Sequence, residues 1–138
     1  MFFKKKDVEE EKNNLTKVCA LLIHAAKIDE NYTDREEYII KKTLEELGLH
    51  KKKILKIIEE SKILEKNSNQ ILDFTREVKN LNEKEKIKIV EALWYIIYSN
   101  NDADMYEINL MRRLAGLLYI DSKTMGDIKE RIKKENSK

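Results

Sequence analysis

Apolar residues in this chain recur every three to four positions almost without a break, and no stretch sustains the alternation of a half-buried strand. Proline is absent, so nothing in the sequence forces a helix to kink or stop. The chain is therefore expected to be all-α, a compact bundle of seven helices. Two of them are apolar nearly all round: the first, about 14–28, through Leu15, Val18, Cys19, Leu21, Leu22, Ile23, Ala25 and Ala26, and the fifth, from Asn82 to Tyr98. Helices of that kind belong in the interior, whereas one-striped helices lie at the surface. The others, about 33–47, 50–65, 68–80, 104–118 and 121–134, each carry one stripe.

Helix starts are marked by short polar signatures. Thr33-Asp34-Arg35-Glu36 is a capping box, in which each end's side chain satisfies the other end's backbone N–H, and Asn82-Glu83-Lys84-Glu85 repeats it. Asp104 and Asp121-Ser122 are placed to cap the sixth and seventh helices. Gly48 suits the left-handed position that closes the second helix.

At 138 residues the chain is one domain's worth. We divide it into a flexible N-terminal segment, 1–12, and a single helical domain, 13–134. Its 28 basic and 26 acidic side chains nearly cancel, which argues against a strongly basic nucleic-acid-binding domain. Of the basic residues 23 are Lys and 5 are Arg. Together with 17 Ile and 11 Asn this reflects A/T-rich codons more than selection for phosphate recognition, which favours Arg. One cysteine excludes an internal disulfide and a multi-thiolate zinc site. The basic N-terminus has no apolar run behind it, so it is not read as a secretory signal. Ala92–Tyr98, the longest apolar-rich run, falls far short of the ~20 residues that span a bilayer. A soluble, cytoplasmic protein is expected.

A shift of 71 positions aligns the two buried helices together with the loop and helix after each. Leu22 falls on Leu93, Ile23 on Trp94, Ala26 on Ile97, Glu36 on Glu107, Ile40 on Met111 and Leu47 on Leu118. Each unit, about 15–49 and 86–120, is a buried helix, an acidic loop, then an amphipathic helix with a carboxylate in its first turn. The two units are expected to be pseudo-symmetric. Ala25-Ala26-Lys27-Ile28-Asp29-Glu30 through Glu36, and Tyr98-Ser99-Asn100-Asn101-Asp102 through Glu107, carry a resemblance. Over roughly 15–120 the chain resembles the TerB tellurite-resistance family and its relatives, which include the N-terminal domain of the DjlA co-chaperone. The glycine after the first aspartate in that family's loop is Glu30 in one copy and Asn101 in the other; the second copy's aspartate is Asn100. The resemblance implies a small helical cytoplasmic module linked to stress, with an acidic surface suspected of holding metal ions or docking partners, and no firm enzymatic activity.

The loop residues themselves leave two readings open. The C-terminus of a helix exposes backbone carbonyls of partial negative charge. Beside them stand Asp29, Glu30, Asn31, Asp34 and Glu36 in the first loop, and Asn100, Asp102, Asp104 and Glu107 in the second. Such oxygen sets suit Ca²⁺ or Mg²⁺. Neither loop is an EF-hand, because counting from Asn100 puts Met105 and Met111 where Gly and the bidentate Glu belong, and counting from Asp29 puts Asp34 and Ile40 there. The competing reading is that these acids only cap helix N-termini.

His24, five residues before Asp29, is read as a structural histidine, Cys19 as an inert buried thiol, and Trp94 as core. The lysines of 51–56 are read as a solvated face. The function expected is that of a non-catalytic helical module, monomer or weak dimer. Its acidic loops would dock a protein partner, membrane-associated or not, and bind divalent cations weakly, with no specific nucleic-acid partner. A metal-dependent enzyme using the same carboxylates, and a weak nucleic-acid-binding protein using the lysines, are the alternatives.

Overall fold

The computed structural model describes residues 5–28, 32–68, 71–99 and 105–136. Among them are seven helices: α1 (Lys5–Lys27), α2 (Asp34–Glu46), α3 (Lys51–Lys66), α4 (Leu72–Lys79), α5 (Glu83–Tyr98), α6 (Met105–Leu117) and α7 (Ser122–Asn136). No strand occurs among the described residues. None of these helices is long and apolar enough to cross a membrane.

Helix α1 lies at the centre and packs against α2, α3, α4 and α5, while α5 in turn meets α2, α4 and α7. Val18 through Ile23 are buried without a gap, so α1 has no solvent face over that stretch. On α5, Ile89, Val90, Leu93, Trp94, Ile96 and Ile97 are at most 2% exposed. The stripes of the outer helices close over these two: Ile40 and Leu44 from α2, Ile54, Ile57 and Ile58 from α3, Phe74 and Val78 from α4, Leu110, Met111 and Leu114 from α6, and Met125, Ile128 and Ile132 from α7. Burying one such aliphatic side chain stabilises the fold by ~1.5–3 kcal/mol. Of the positions that the sequence aligned 71 apart, Leu22 and Leu93, Ala26 and Ile97, Glu36 and Glu107, and Ile40 and Met111 are buried on both sides, whereas Leu47 is half-buried opposite fully buried Leu118.

Most boundaries obey the polar signatures. Thr33 and Asn82 each complete a capping box with Glu36 and Glu85. Asp121 Oδ1 accepts from the Thr124 N–H at 2.7 Å, which holds the Asp121 carboxyl below the usual carboxylate range. Two boundaries differ from expectation. Helix α1 begins at Lys5, nine residues before Asn14, because Lys5–Lys12 consists of charged helix formers and one Val with no breaker. Asn13 and Asn14 therefore lie within it. Helix α4 is shorter than 68–80 and starts without a side-chain cap.

The C-termini of α2 and α6 have no basic residue in their last turns. Two lysines of α5 supply one from across the fold. Lys86 Nζ donates to Leu118 O at 3.2 Å, and Lys88 Nζ donates to Glu46 O at 3.3 Å. Each places a cation where unpaired carbonyls concentrate negative charge.

Candidate functional site

The two acidic loops run into α2 and α6, and the described part of each shows a carboxylate turned inward. Glu36 is 1% exposed. Its Oε1 accepts from the Thr33 N–H at 2.8 Å, and Thr33 Oγ1 accepts from the Glu36 N–H at 3.1 Å. One oxygen of this carboxylate is thus committed to closing the helix. Glu107 occupies the third position of α6 and is 4% exposed. Burial of a carboxylate this deep requires compensation by hydrogen bonds or charge, and the N-terminus of a helix provides both. Asp34 opens α2 on the exposed side. Asp29, Asn100, Asp102 and Asp104, together with Glu30 and Asn31, lie outside the described residues. The structure thus places Asp34, Glu36 and Glu107 and does not describe the other four candidates.

Among the described residues no group of three or more His, Cys, Asp or Glu side chains is arranged to hold a metal ion. A cation at the first loop would draw on Asp29 and Asp34 more readily than on Glu36, whose Oε1 is engaged.

Beside the second loop the structure shows something the periodicity did not. Met105 and Tyr106, the first two residues of α6, are 76% and 78% exposed. Two large apolar side chains therefore stand outward on the same turn that buries Glu107. Helical spacing explains the split only afterwards, since Glu107, Leu110, Met111 and Leu114 form the buried stripe and positions 105 and 106 fall off it. Tyr38, on the second turn of α2, is likewise 64% exposed.

The reactive side chains of the core are spoken for. His24 Nδ1 lies 3.3 Å from Glu65 Oε1, whose other oxygen accepts from Lys27 Nζ at 2.7 Å. This cluster ties α1 to α3. Cys19 is fully buried, and burial pushes its thiol up to about 12. A thiol so protonated is no nucleophile at neutral pH. Trp94 is 2% exposed, stacks on Tyr98 with ring centroids 5.9 Å apart, and has Lys129 Nζ 5.7 Å from its ring centroid. It is core, as its place on α5 requires.

Around this geometry the comparison with known families falls into place. The family model described as tellurite resistance protein TerB matches residues 15–130. The chain belongs to the TerB family. The match begins within α1, ends within α7 and takes in both acidic loops. No curated protein and no solved structure matches the chain significantly. Membership fixes the helical module and the family to which its acidic loops belong.

Proposed function

We propose that this TerB-family chain is a non-catalytic interaction module. Its acidic loop surface docks a protein partner and takes up divalent cations weakly. The observation that carries the reading is the first turn of α6, where exposed Met105 and Tyr106 adjoin the second acidic loop. An apolar contact rimmed by charge is the composition of a protein-binding patch, in which aromatic residues and Met are enriched. Glu36 closes the start of α2 through its capping box, and Glu107 is buried in the first turn of α6, so each loop sequence leads into a helix whose first turn carries an inward carboxylate. The inertness of Cys19 and the engagement of His24 with Glu65 support a binding role over a nucleophilic one. A stress-response setting of the tellurite-resistance type accords with the family.

Weak cation binding is tested by melting the protein with and without 10 mM Ca²⁺ or Mg²⁺, about ten times a millimolar Kd, which is worth ~1.4 kcal/mol by mass action. The melting temperature should rise, and Asp29→Asn combined with Asp102→Asn should abolish the rise while keeping the fold, because Asn also caps helices. An unmoved melting temperature removes the cation from the proposal and leaves partner docking. Docking is tested by pull-down from native lysate with and without EDTA, comparing the wild-type chain with Met105→Ser/Tyr106→Ser. A partner retained equally by both chains would refute this surface.

A further inference from the structure

Two local features of the face shared by α4 and α6 are conformationally unfavourable, and burial in the core repays neither. Tyr119, just beyond α6, has φ +57°, a left-handed conformation that side chains other than Gly, Asn and Asp seldom adopt. Its ring gains little burial in exchange, being 71% exposed. Gly116 stands in the last turn of α6, where Ala would favour the helix. A Cβ there would meet nothing within 4 Å, so the core does not demand its absence.

Both residues border one groove of about 210 Å³, with Leu72, Arg76, Lys79 and Leu117. No acidic side chain among the described residues lines it. Lys79 Nζ sits 4.6 Å from the centroid of the Tyr119 ring. Arg76 and Lys79 are both exposed, and neither has an ion-pair partner among the described residues. Other grooves lack this combination. The one between α2 and α5 sets Arg35, Lys42 and Lys88 against Glu46, Glu91 and Glu135. In the one beside Tyr32, Lys27 and Lys62 already pair with Glu65 and Glu37, and the remaining cation, Lys66, has no arginine beside it.

We propose that the α4–α6 groove docks an acidic segment of a protein partner. A carboxylate of that segment is taken by the fork of Arg76, with Lys79 beside it, and its backbone lies against the open surface at Gly116. Tyr119 is the wall, and Leu72, 39% exposed, receives a neighbouring apolar side chain. The charge of the groove calls for an anion. Its volume suits a side chain, being below the ~300–1,000 Å³ of small-molecule pockets. Planar bidentate recognition favours Arg over Lys, and one of the five Arg among 28 basic residues stands here. The groove lies at the C-terminal end of α6, away from the first turn that buries Glu107, and its lining charge is opposite in sign to the acidic loop sequences.

The test is an NMR titration of the full ¹⁵N-labelled chain with the N-acetylated, C-amidated tetrapeptide Glu-Leu-Asp-Glu, against Lys-Leu-Lys-Lys capped in the same way. Shifts should be confined to residues 72–79 and 116–120, appear only with the acidic peptide, and weaken with salt. Arg76→Gln/Lys79→Gln should weaken binding about tenfold, the loss expected for charge-assisted pairs. Gly116→Ala, which leaves the charge untouched, should weaken it about threefold by filling the open surface while raising the melting temperature. Together these results would separate loss of the site from loss of the fold. Shifts spread over the α3 lysines, or an affinity unchanged in Arg76→Gln/Lys79→Gln, would overturn the proposal. A stronger response at the same residues to a single-stranded dT oligonucleotide would overturn it in favour of nucleic acid. A peptide-free protein that self-associates through these residues, as read by sedimentation, would overturn it in favour of a second copy.

Discussion

The ends of α2 and α6 are closed by the same backbone hydrogen bonds, yet one turns on Gly48 and the other on Tyr119. After α2, the N–H groups of Leu47, Gly48 and Leu49 reach Thr43 O, Glu45 O and Leu44 O at 2.9, 3.0 and 3.0 Å. After α6, those of Leu118, Tyr119 and Ile120 reach Leu114 O, Gly116 O and Ala115 O at 2.8, 3.4 and 3.0 Å. Gly48, at φ +100°, holds its left-handed position without steric cost; Tyr119, at φ +57°, does not. The middle bond is longer where the tyrosine stands. Hydrogen bonding dictates the shape of the turn, and the side chain at its apex is free to be chosen for another purpose, at a cost of ~1 kcal/mol.

The largest test of this comparison lies in the core beneath the two ends. Leu22→Ala and Leu93→Ala each truncate a side chain with no exposed surface, and each should cost ~2–5 kcal/mol in urea unfolding. If the two halves are equivalent the costs should agree within a kcal/mol or so; a severalfold difference would break the pairing at its centre.

Next come the lysines of α5. Lys86 is 9% exposed and donates to Leu118 O, so Lys86→Met should cost ~1–2 kcal/mol by leaving that carbonyl without its donor. Lys88 makes the matching contact to Glu46 O on the exposed side, and Lys88→Met should cost under about 0.5 kcal/mol because water replaces it. Equal losses would mean that burial does not separate the two ends.

The smallest effects concern the apex residues, and their signs differ. Tyr119→Gly should raise stability by ~0.5–1 kcal/mol, and Gly48→Ala should lower it by ~1 kcal/mol. Thermal melting resolves both. A destabilised Tyr119→Gly would mean that the Lys79 contact outweighs the backbone term.

A fourth check uses pH. Burial and the hydrogen bond it donates to Glu135 push the Tyr95 hydroxyl up to about 12. The folded state therefore holds this proton more tightly than the unfolded one. The stability it adds is fully present below pH ~10, the unfolded value, and is lost as pH rises towards 12. Tyr95→Phe should flatten the fall in stability over that window.

Much of this fold was legible because the determinants are local. The capping boxes at Thr33 and Asn82 and the glycine at 48 each announce themselves within four residues, and the unbroken apolar runs of α1 and α5 announce their burial. What was not legible rests on an unusual residue in a familiar place or on partners far along the chain. His50, whose Nδ1 accepts from the Lys52 N–H at 3.2 Å, caps α3 although histidine is not a usual cap. Lys86 and Lys88 serve helices that end 32 and 42 residues away from them. Tyr119 carries no sign that marks it as left-handed; only the 71-residue offset from Gly48 hints at it. Of the candidate site, the inward turn of Glu36 could be read from its capping box. The outward stance of Met105 and Tyr106 could not, because a stripe read from period 3.6 says which residues are buried and is silent on how far the others protrude.

Burial of the only cysteine gives the molecule a built-in clock. Cys19 has no exposed surface, and Ser61, whose hydroxyl lies 2.6 Å from Ile57 O and 3.0 Å from Thr16 O, seals the α1–α3 seam over it. A thiol reagent can reach the sulfur only when that seam parts, so modification proceeds at the pace of opening rather than of thiol chemistry. Because there is one thiol, every labelled molecule reports one event, and its labelling rate across denaturant concentrations separates a breathing seam from global unfolding.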